Sequence, residues 1–84
     1  MTQEEKEILK KAYMEGFTFV ARDAKDSGGR LWAFESLPVR VVNTLDSIWN
    51  TNGAMISIHK ELLFDWINWE DEPFEITRED VMNG

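Results

Sequence analysis

Residues 17–36 read FTFVARDAKDSGGRLWAFES and determine the architecture of the whole chain. The two ends of this stretch, 17–23 and 31–36, are dense in aromatic and β-branched residues, which favour extended strands. The polar segment between them, 24–30, contains two adjacent glycines. Two strand-like runs joined by such a segment predict a β-hairpin. A phosphate-binding loop would need a lysine and a following helix, and here a strand follows the glycines.

A helix is predicted before the hairpin, over residues 3–15. Thr2 and Glu5 have the spacing of a capping box, in which each side chain accepts a hydrogen bond from the other residue's amide. Gly16 is a natural C-terminal stop. The apolar residues recur at helical spacing and define one face, made of Ile8, Leu9, Ala12 and Tyr13.

The remainder of the chain predicts further short strands. Residues 39–42 follow Pro38 and are predicted to form an edge strand, and 55–58 and 66–69 are also predicted to be strands. Residues 48 and 49 fit either a short strand or a helical turn, and 61–64 resemble a helical turn. Residues 74–76 are predicted to be an extended segment that packs on the rest of the domain. The sequence thus predicts one α+β domain over 1–84. In it, an N-terminal helix packs on a small antiparallel sheet of four to five short strands, and 77–84 are frayed.

Charge is distributed unevenly along the chain. The formal net charge is −7, yet acidic and basic side chains balance in residues 1–60, so the whole excess lies in the last 24 residues. Such a surface disfavours direct binding to nucleic acid or anionic membranes and attracts basic proteins. The N-terminus lacks the apolar core of a signal peptide, and no run approaches about 20 apolar residues, so we expect a cytoplasmic protein.

The sequence offers no assembled catalytic or metal site. There is no cysteine, and His59 is the single histidine, with Ser57 nearby but no carboxylate at a spacing that would orient it. The acidic run 70–72 lacks the alternating ligands and the glycine of a calcium loop, so a solvated face is the favoured interpretation. We therefore expect a protein that is not an enzyme and that needs no cofactor or metal.

Tryptophans provide candidate anchors for a protein partner. Trp66 and Trp69 differ in parity, so a regular strand over 66–69 would point one into the core and the other outward, where it is either exposed or covered by the N-terminal helix. The alternative is that both rings belong to the core, since small domains bury their aromatics. Trp49 adjoins the turn-forming residues 50–53 and is a second candidate for exposure. An aromatic ringed by carboxylates has the composition of an interface hot spot. The predicted partner-binding residues are Trp49, Trp69, Glu70, Asp71, Glu72, Glu75, Glu79 and Asp80.

Three runs together, GFTFVARD at 16–23, LWAFE at 31–35 and WINWEDEP at 66–73, resemble small accessory proteins encoded by phages and prophages of Gram-positive bacteria. The likeness covers roughly residues 16–76 and departs from the pattern in 40–60. The resemblance implies phage origin, a host-facing role and action in the cytoplasm of an infected bacterium. It implies no particular biochemical activity.

Two functions remain open from the sequence. The leading hypothesis is a protein-binding module that blocks a basic, nucleic-acid-handling surface of a host or defence protein, as a DNA mimic or an anti-CRISPR inhibitor does. The alternative is a structural or regulatory phage component without a host target. Such a component would act as a homo-oligomer, in which strand 39–42 pairs with a second copy.

Overall fold

The computed structural model describes residues 1–60 and 62–82 and has an α+β fold. This confirms the predicted fold class. The elements in chain order are α1 (Gln3–Met14), β1 (Phe19–Arg22), a 3-10 turn (Lys25–Ser27), β2 (Leu31–Phe34), β3 (Val39–Val42), β4 (Ser47–Asn50), β5 (Met55–Ile58), β6 (Phe74–Glu75) and α2 (Arg78–Met82).

The helix α1 begins with the predicted capping box. Thr2 Oγ1 accepts a hydrogen bond from the Glu5 amide at 3.1 Å, and Glu5 Oε1 accepts one from the Thr2 amide at 2.8 Å. The helix ends at Met14, and Gly16 then takes a positive φ of 92°, which a residue without Cβ adopts freely. Leu9 and Ala12 are buried, so the predicted apolar face does pack on the rest of the protein.

The main sheet is antiparallel, with strand order β5-β2-β1-β6. Its centre is the predicted hairpin, in which Val20 lies opposite Ala33 and Ala21 opposite Trp32. The predicted strand 55–58 pairs with β2, and the predicted extended segment 74–76 supplies β6 on the other side. Because successive side chains point to opposite faces, each strand of the hairpin contributes to two separate apolar clusters.

Strands β3 and β4 form a separate two-stranded ribbon, joined by a tight turn. Residues 39–42 are a strand, as predicted, and residues 48 and 49 adopt the strand alternative. The ribbon lies over the face of the main sheet that α1 leaves open, where the Trp49 ring packs with Ala21 and Phe34. The other face is covered by α1, α2 and the buried residues Phe64 and Ile67.

Two parts of the C-terminal third differ from the sequence prediction. The predicted strand over 66–69 is wrong: these residues form turns, closed by bonds from the Ile67 amide to Phe64 and from the Asp71 amide to Asn68. Frayed residues were expected over 77–84, whereas Arg78–Met82 form α2, whose Val81 is buried in the cluster beneath α1, and 83–84 lie outside the described residues. The predicted helical turn 61–64 falls partly outside the described residues, and 62–63 form a turn and bend.

Over the described ranges 1–60 and 62–82, no helix has the length and apolar character needed to cross a lipid bilayer.

Truncation of the buried helix face should destabilise the fold. Leu9 is fully buried, so Leu9→Ala should lower the free energy of unfolding by about 2–4 kcal/mol through lost burial and a residual cavity. The neighbouring Lys10 is exposed, and Lys10→Ala should change it by less than about 0.5 kcal/mol. Urea unfolding followed by tryptophan fluorescence measures both, and equal midpoints for the two variants would contradict this packing.

Candidate partner-binding surface

Arg22 bonds the irregular segment 62–73 of the acidic C-terminal third to the main sheet. Its guanidinium donates to the carbonyl oxygens of Ile67 at 2.8 Å, Leu63 at 3.0 Å and Phe64 at 3.1 Å, and to Gly29 at 2.8 Å. Residues 62–73 form no strand or helix, so their carbonyl groups lack ladder partners. A planar guanidinium with five N–H donors can satisfy several carbonyls at once, which fixes the path of this segment.

Glu5 holds the same segment from the opposite side. Its Oε2 accepts a hydrogen bond from the Phe64 amide at 2.5 Å, while its Oε1 caps α1. Phe64 has a positive φ of 59°, an unfavourable conformation for a residue with a bulky side chain. The fully buried ring, the amide bond to Glu5 and the carbonyl bond to Arg22 together maintain it.

Hydrogen bonds lower the pKa of the Glu5 carboxyl. The bond from the Thr2 backbone amide is the largest cause, and burial opposes it by raising the pKa. Bonds from the Phe64 amide, the Trp66 indole and the Thr2 side chain lower it further. Glu5 is therefore ionised in the folded protein at neutral pH.

Arg40 joins the β3–β4 ribbon to the acidic run. Its guanidinium lies 4.8 Å from the centre of the Trp49 ring and 5.0 Å from that of Trp69, a cation–π arrangement with both. The same guanidinium donates to the carbonyl oxygens of Trp69 at 2.8 Å and Asp71 at 2.9 Å. The run 69–71 is thus attached to a rigid ribbon.

The structure corrects the prediction that Trp49 is an exposed anchor. Only 4% of Trp49 is exposed, because its ring sits between the main sheet and the ribbon. Its indole donates to the Arg22 carbonyl at 3.0 Å, and its amide donates to the buried carboxylate of Asp23, also at 3.0 Å. Asp23 also accepts from the Trp32 indole at 2.9 Å. Sequence proximity to a turn does not reveal this pairing of sheet and ribbon.

Trp69 and Trp66 differ in how much of each ring is exposed to solvent. Trp69 is half-buried and packs edge-to-face on Trp49, with ring centres 5.6 Å apart. Trp66 is the more exposed, at 37%, and its ring contacts those of Phe64 and Phe74. The parity argument failed here because 66–69 is not a strand. Trp66 is therefore the functional candidate that the sequence prediction missed.

Two of the predicted acidic residues have structural bonds of their own. Asp71 Oδ2 accepts from the Asn68 amide at 3.0 Å, closing a turn. Asp80 Oδ2 accepts from the Thr77 amide and hydroxyl, each at 2.8 Å, at the start of α2. The other four predicted acids are exposed and form no ion pair within residues 1–60 and 62–82, namely Glu70, Glu72, Glu75 and Glu79.

The structure places three of these four acids in two clefts, and Glu79 lines neither. Glu72 and Glu75 line a cleft of about 260 Å³ whose wall includes the exposed Trp66. Glu70 lies with Trp69 in a larger cleft of about 800 Å³, between the hairpin turn and the 62–70 segment. The larger cleft also contains Asp26, Asp65 and the basic Lys25. The cleft at Trp66 is therefore the one in which every charged lining residue is acidic and an aromatic ring is exposed.

Among the described residues, no group of three or more histidine, aspartate and glutamate side chains has a geometry that would hold a metal ion. His59 and Ser57 lie at β5, where His59 is exposed. Comparison with protein-family models, with curated proteins and with solved structures finds no match for this chain.

Replacing Arg22 should loosen the acidic third. Arg22→Lys keeps the charge but loses the planar fork, so several carbonyls lose a donor and the free energy of unfolding should fall by about 2 kcal/mol or more. The matched control is Arg30→Lys in the exposed hairpin turn, expected within about 0.5 kcal/mol of wild type. Urea unfolding compares the two, and an unchanged midpoint for Arg22→Lys would mean that these bonds do not stabilise the fold.

Protonation of the Glu5 carboxylate should make the protein less stable in acid. Its folded-state pKa lies below the ordinary value of 4.5, so its contribution to stability is present above that pH and is lost as the pH falls through the lowered pKa. Glu5→Gln cannot titrate, so the loss of stability between pH 5 and lower pH should be smaller than in wild type. Glu7→Gln, on the exposed side of α1, is the control. Parallel stability profiles for Glu5→Gln and wild type would refute this role.

Proposed function

We propose that this protein binds a basic, nucleic-acid-handling surface of a host or defence protein and blocks it by occupancy, as a DNA mimic or an anti-CRISPR inhibitor does. The observation that carries the proposal is the acidic cleft at Trp66, in a segment that holds the whole net charge of −7. The resemblance to phage accessory proteins supports a bacterial host as the source of the partner. No catalytic step, cofactor or metal enters the mechanism.

The carboxylates of Glu72 and Glu75 pair with arginine and lysine side chains that otherwise contact phosphate. Trp66 presents part of its ring beside them, so a partner cation is attracted both by charge and by the aromatic face. Glu70 and Glu79 extend the negative field around this centre and accelerate encounter. Asp71 and Asp80 act differently, because their carboxylates hold the turn and the helix that carry the others.

Preorganisation supports an interaction role for this surface. Carboxylates on a disordered tail would lose conformational entropy on binding, which weakens affinity. Here Arg22 and Arg40 fix the backbone of residues 63–71, and β6 fixes Glu75. The partner therefore meets charges at set positions, as it meets the phosphates of a duplex.

Neutralising the cleft should abolish binding without changing the fold. The test variant is Glu72→Gln with Glu75→Gln, and the matched control is Glu7→Gln with Glu15→Gln, which changes the net charge equally on exposed positions of α1 and its cap. Immobilised wild-type protein and control should retain the same proteins from a lysate of a Gram-positive host. The retained proteins should be rich in DNA-binding and RNA-binding proteins, and duplex DNA should elute them. The amount of these proteins retained by the cleft variant should be at least tenfold lower than the amount retained by the wild type.

Salt provides the second arm of this test. Retention by the wild type should weaken as ionic strength rises from low to near-physiological values, since exposed charges are then screened. Equal retention by all three proteins, or retention that salt and duplex DNA leave unchanged, would contradict the proposal. Loss of retention by both double variants would show that only total charge matters, which would contradict the assignment to the cleft.

A further inference from the structure

The β3–β4 ribbon has an edge with which no other strand of the described chain pairs, and an outer face that is exposed at Val39 and half-buried at Val41 and Ile48. Sheet pairing ends at β3, which pairs with β4 alone. Arg40 and Trp49 share the face that packs on the body, so Val39, Val41 and Ile48 point to the opposite face by strand alternation. Two further apolar residues flank the strand and are strongly exposed, Leu37 at 63% and Leu45 at 88%.

The hydrogen bonds of β4 define which backbone groups of β3 point outward. The Ser47 amide donates to Ser27 Oγ at 2.9 Å, and the Ser47 carbonyl accepts from the Ala24 amide at 3.0 Å. The Trp49 amide donates to Asp23. At positions 47 and 49, therefore, the β4 backbone points away from β3.

Residues 42 and 40 lie opposite Ser47 and Trp49 in the ribbon. In an antiparallel pair, residues opposite each other either exchange both of their hydrogen bonds or direct them outward. The amide and carbonyl groups of Arg40 and Val42 thus point to the open edge of β3. No hydrogen bond within residues 1–60 and 62–82 uses them. Proteins usually protect such an edge with charged side chains, a proline or a bulge. The one charged residue of Val39–Val42 is Arg40, and its guanidinium is bonded to the Trp69 and Asp71 carbonyls on the inner face.

We propose that a second copy of this chain occupies this edge, and that β3 pairs antiparallel with β3 of the copy about a two-fold axis at Val41. In this register the Arg40 amide donates to the Val42 carbonyl of the second copy. The Val42 amide of the second copy donates to the Arg40 carbonyl of the first. The two-fold axis generates the same two bonds between Val42 of the first copy and Arg40 of the second. A row of apolar side chains, Ile48 and Val41 of each copy, then runs across a continuous four-stranded sheet.

Two properties favour a second copy over a different partner strand. The register is self-complementary. Leu37, which precedes β3 in one copy, lies towards Leu45, which follows β3 in the other copy, and the same contact occurs twice by symmetry. The surface is also suited to contact between two acidic molecules. Residues 37–50 contain Arg40 and Asp46 as their only charged side chains, while the excess negative charge lies after residue 60.

The absence of cysteine allows a direct test by cross-linking. Across the axis, Val41 faces its own symmetry mate in a non-hydrogen-bonded pair, where Cα atoms lie about 4.5 Å apart, within the range of a disulfide. Val41→Cys should form a covalent dimer under mild oxidation. The matched control is Val39→Cys on the same face, where the symmetry-related positions are too far apart. Val41→Cys should cross-link at least tenfold faster, with wild-type circular dichroism for both variants.

Sedimentation of the unmodified chain provides the independent measurement. The mass should approach twice 9.8 kDa as concentration rises, and higher salt should strengthen the dimer by screening repulsion between two chains of charge −7. Salt should weaken binding to a basic partner, so the two proposals succeed or fail separately. A monomer at all concentrations, or equal cross-linking of the two cysteine variants, would overturn the pairing. Faster cross-linking of Val39→Cys would overturn this register.

Discussion

The hydrogen bonds of Arg22 are the interaction on which the rest of the structure depends. A chain of 84 residues has little core, and its final third contains only one two-residue strand and one short helix within 62–82. Burial of Phe64, Ile67 and Ile76 beneath α1 requires that the intervening backbone turn sharply without ladder partners. A single guanidinium supplies donors to three carbonyls of that backbone. The apolar residues can then be buried without leaving polar groups unsatisfied.

Arg22 and Asp23 are adjacent, and β alternation directs their side chains to opposite faces of the sheet. One face receives the 62–67 segment through Arg22, and the other receives the ribbon through the Asp23 bonds to Trp32 and Trp49. Arg22 donates to backbone carbonyls of that segment, and Asp23 accepts from an indole and a backbone amide. The run Ala21-Arg22-Asp23 therefore has a structural explanation in this chain.

Local sequence signals predicted the parts of the fold that local interactions form. The capping box defined α1, and β-formers flanking a glycine turn defined the β1–β2 hairpin. The conformation of 66–69 was not predictable in this way. Alternation there suggests a strand, but the bond that Arg22 donates to the Ile67 carbonyl and the bond that the Phe64 amide donates to Glu5 impose turns. The candidate surface was predicted in part for the same reason. The exposure of the glutamates in 70–79 follows from their charge alone and was predicted. The burial of Trp49 and the exposure of Trp66 were not predicted, because they depend on contacts between residues far apart in sequence.

Separation of charge along the chain links the two proposed surfaces. Coulomb repulsion between two copies would oppose association through any surface that includes residues 70–80. The ribbon avoids this, because Arg40 directs its charge inward to two indole rings and two carbonyls, and the pairing edge offers backbone groups whose bonding does not depend on net charge. None of the residues that line the Trp66 cleft belongs to the pairing strand, so a dimer built there has one such cleft in each copy. A partner with repeated basic sites, as nucleic-acid-binding assemblies present, would then be held at two points. The second contact forms at the high effective concentration that the first creates, so modest affinity at each cleft becomes strong overall binding.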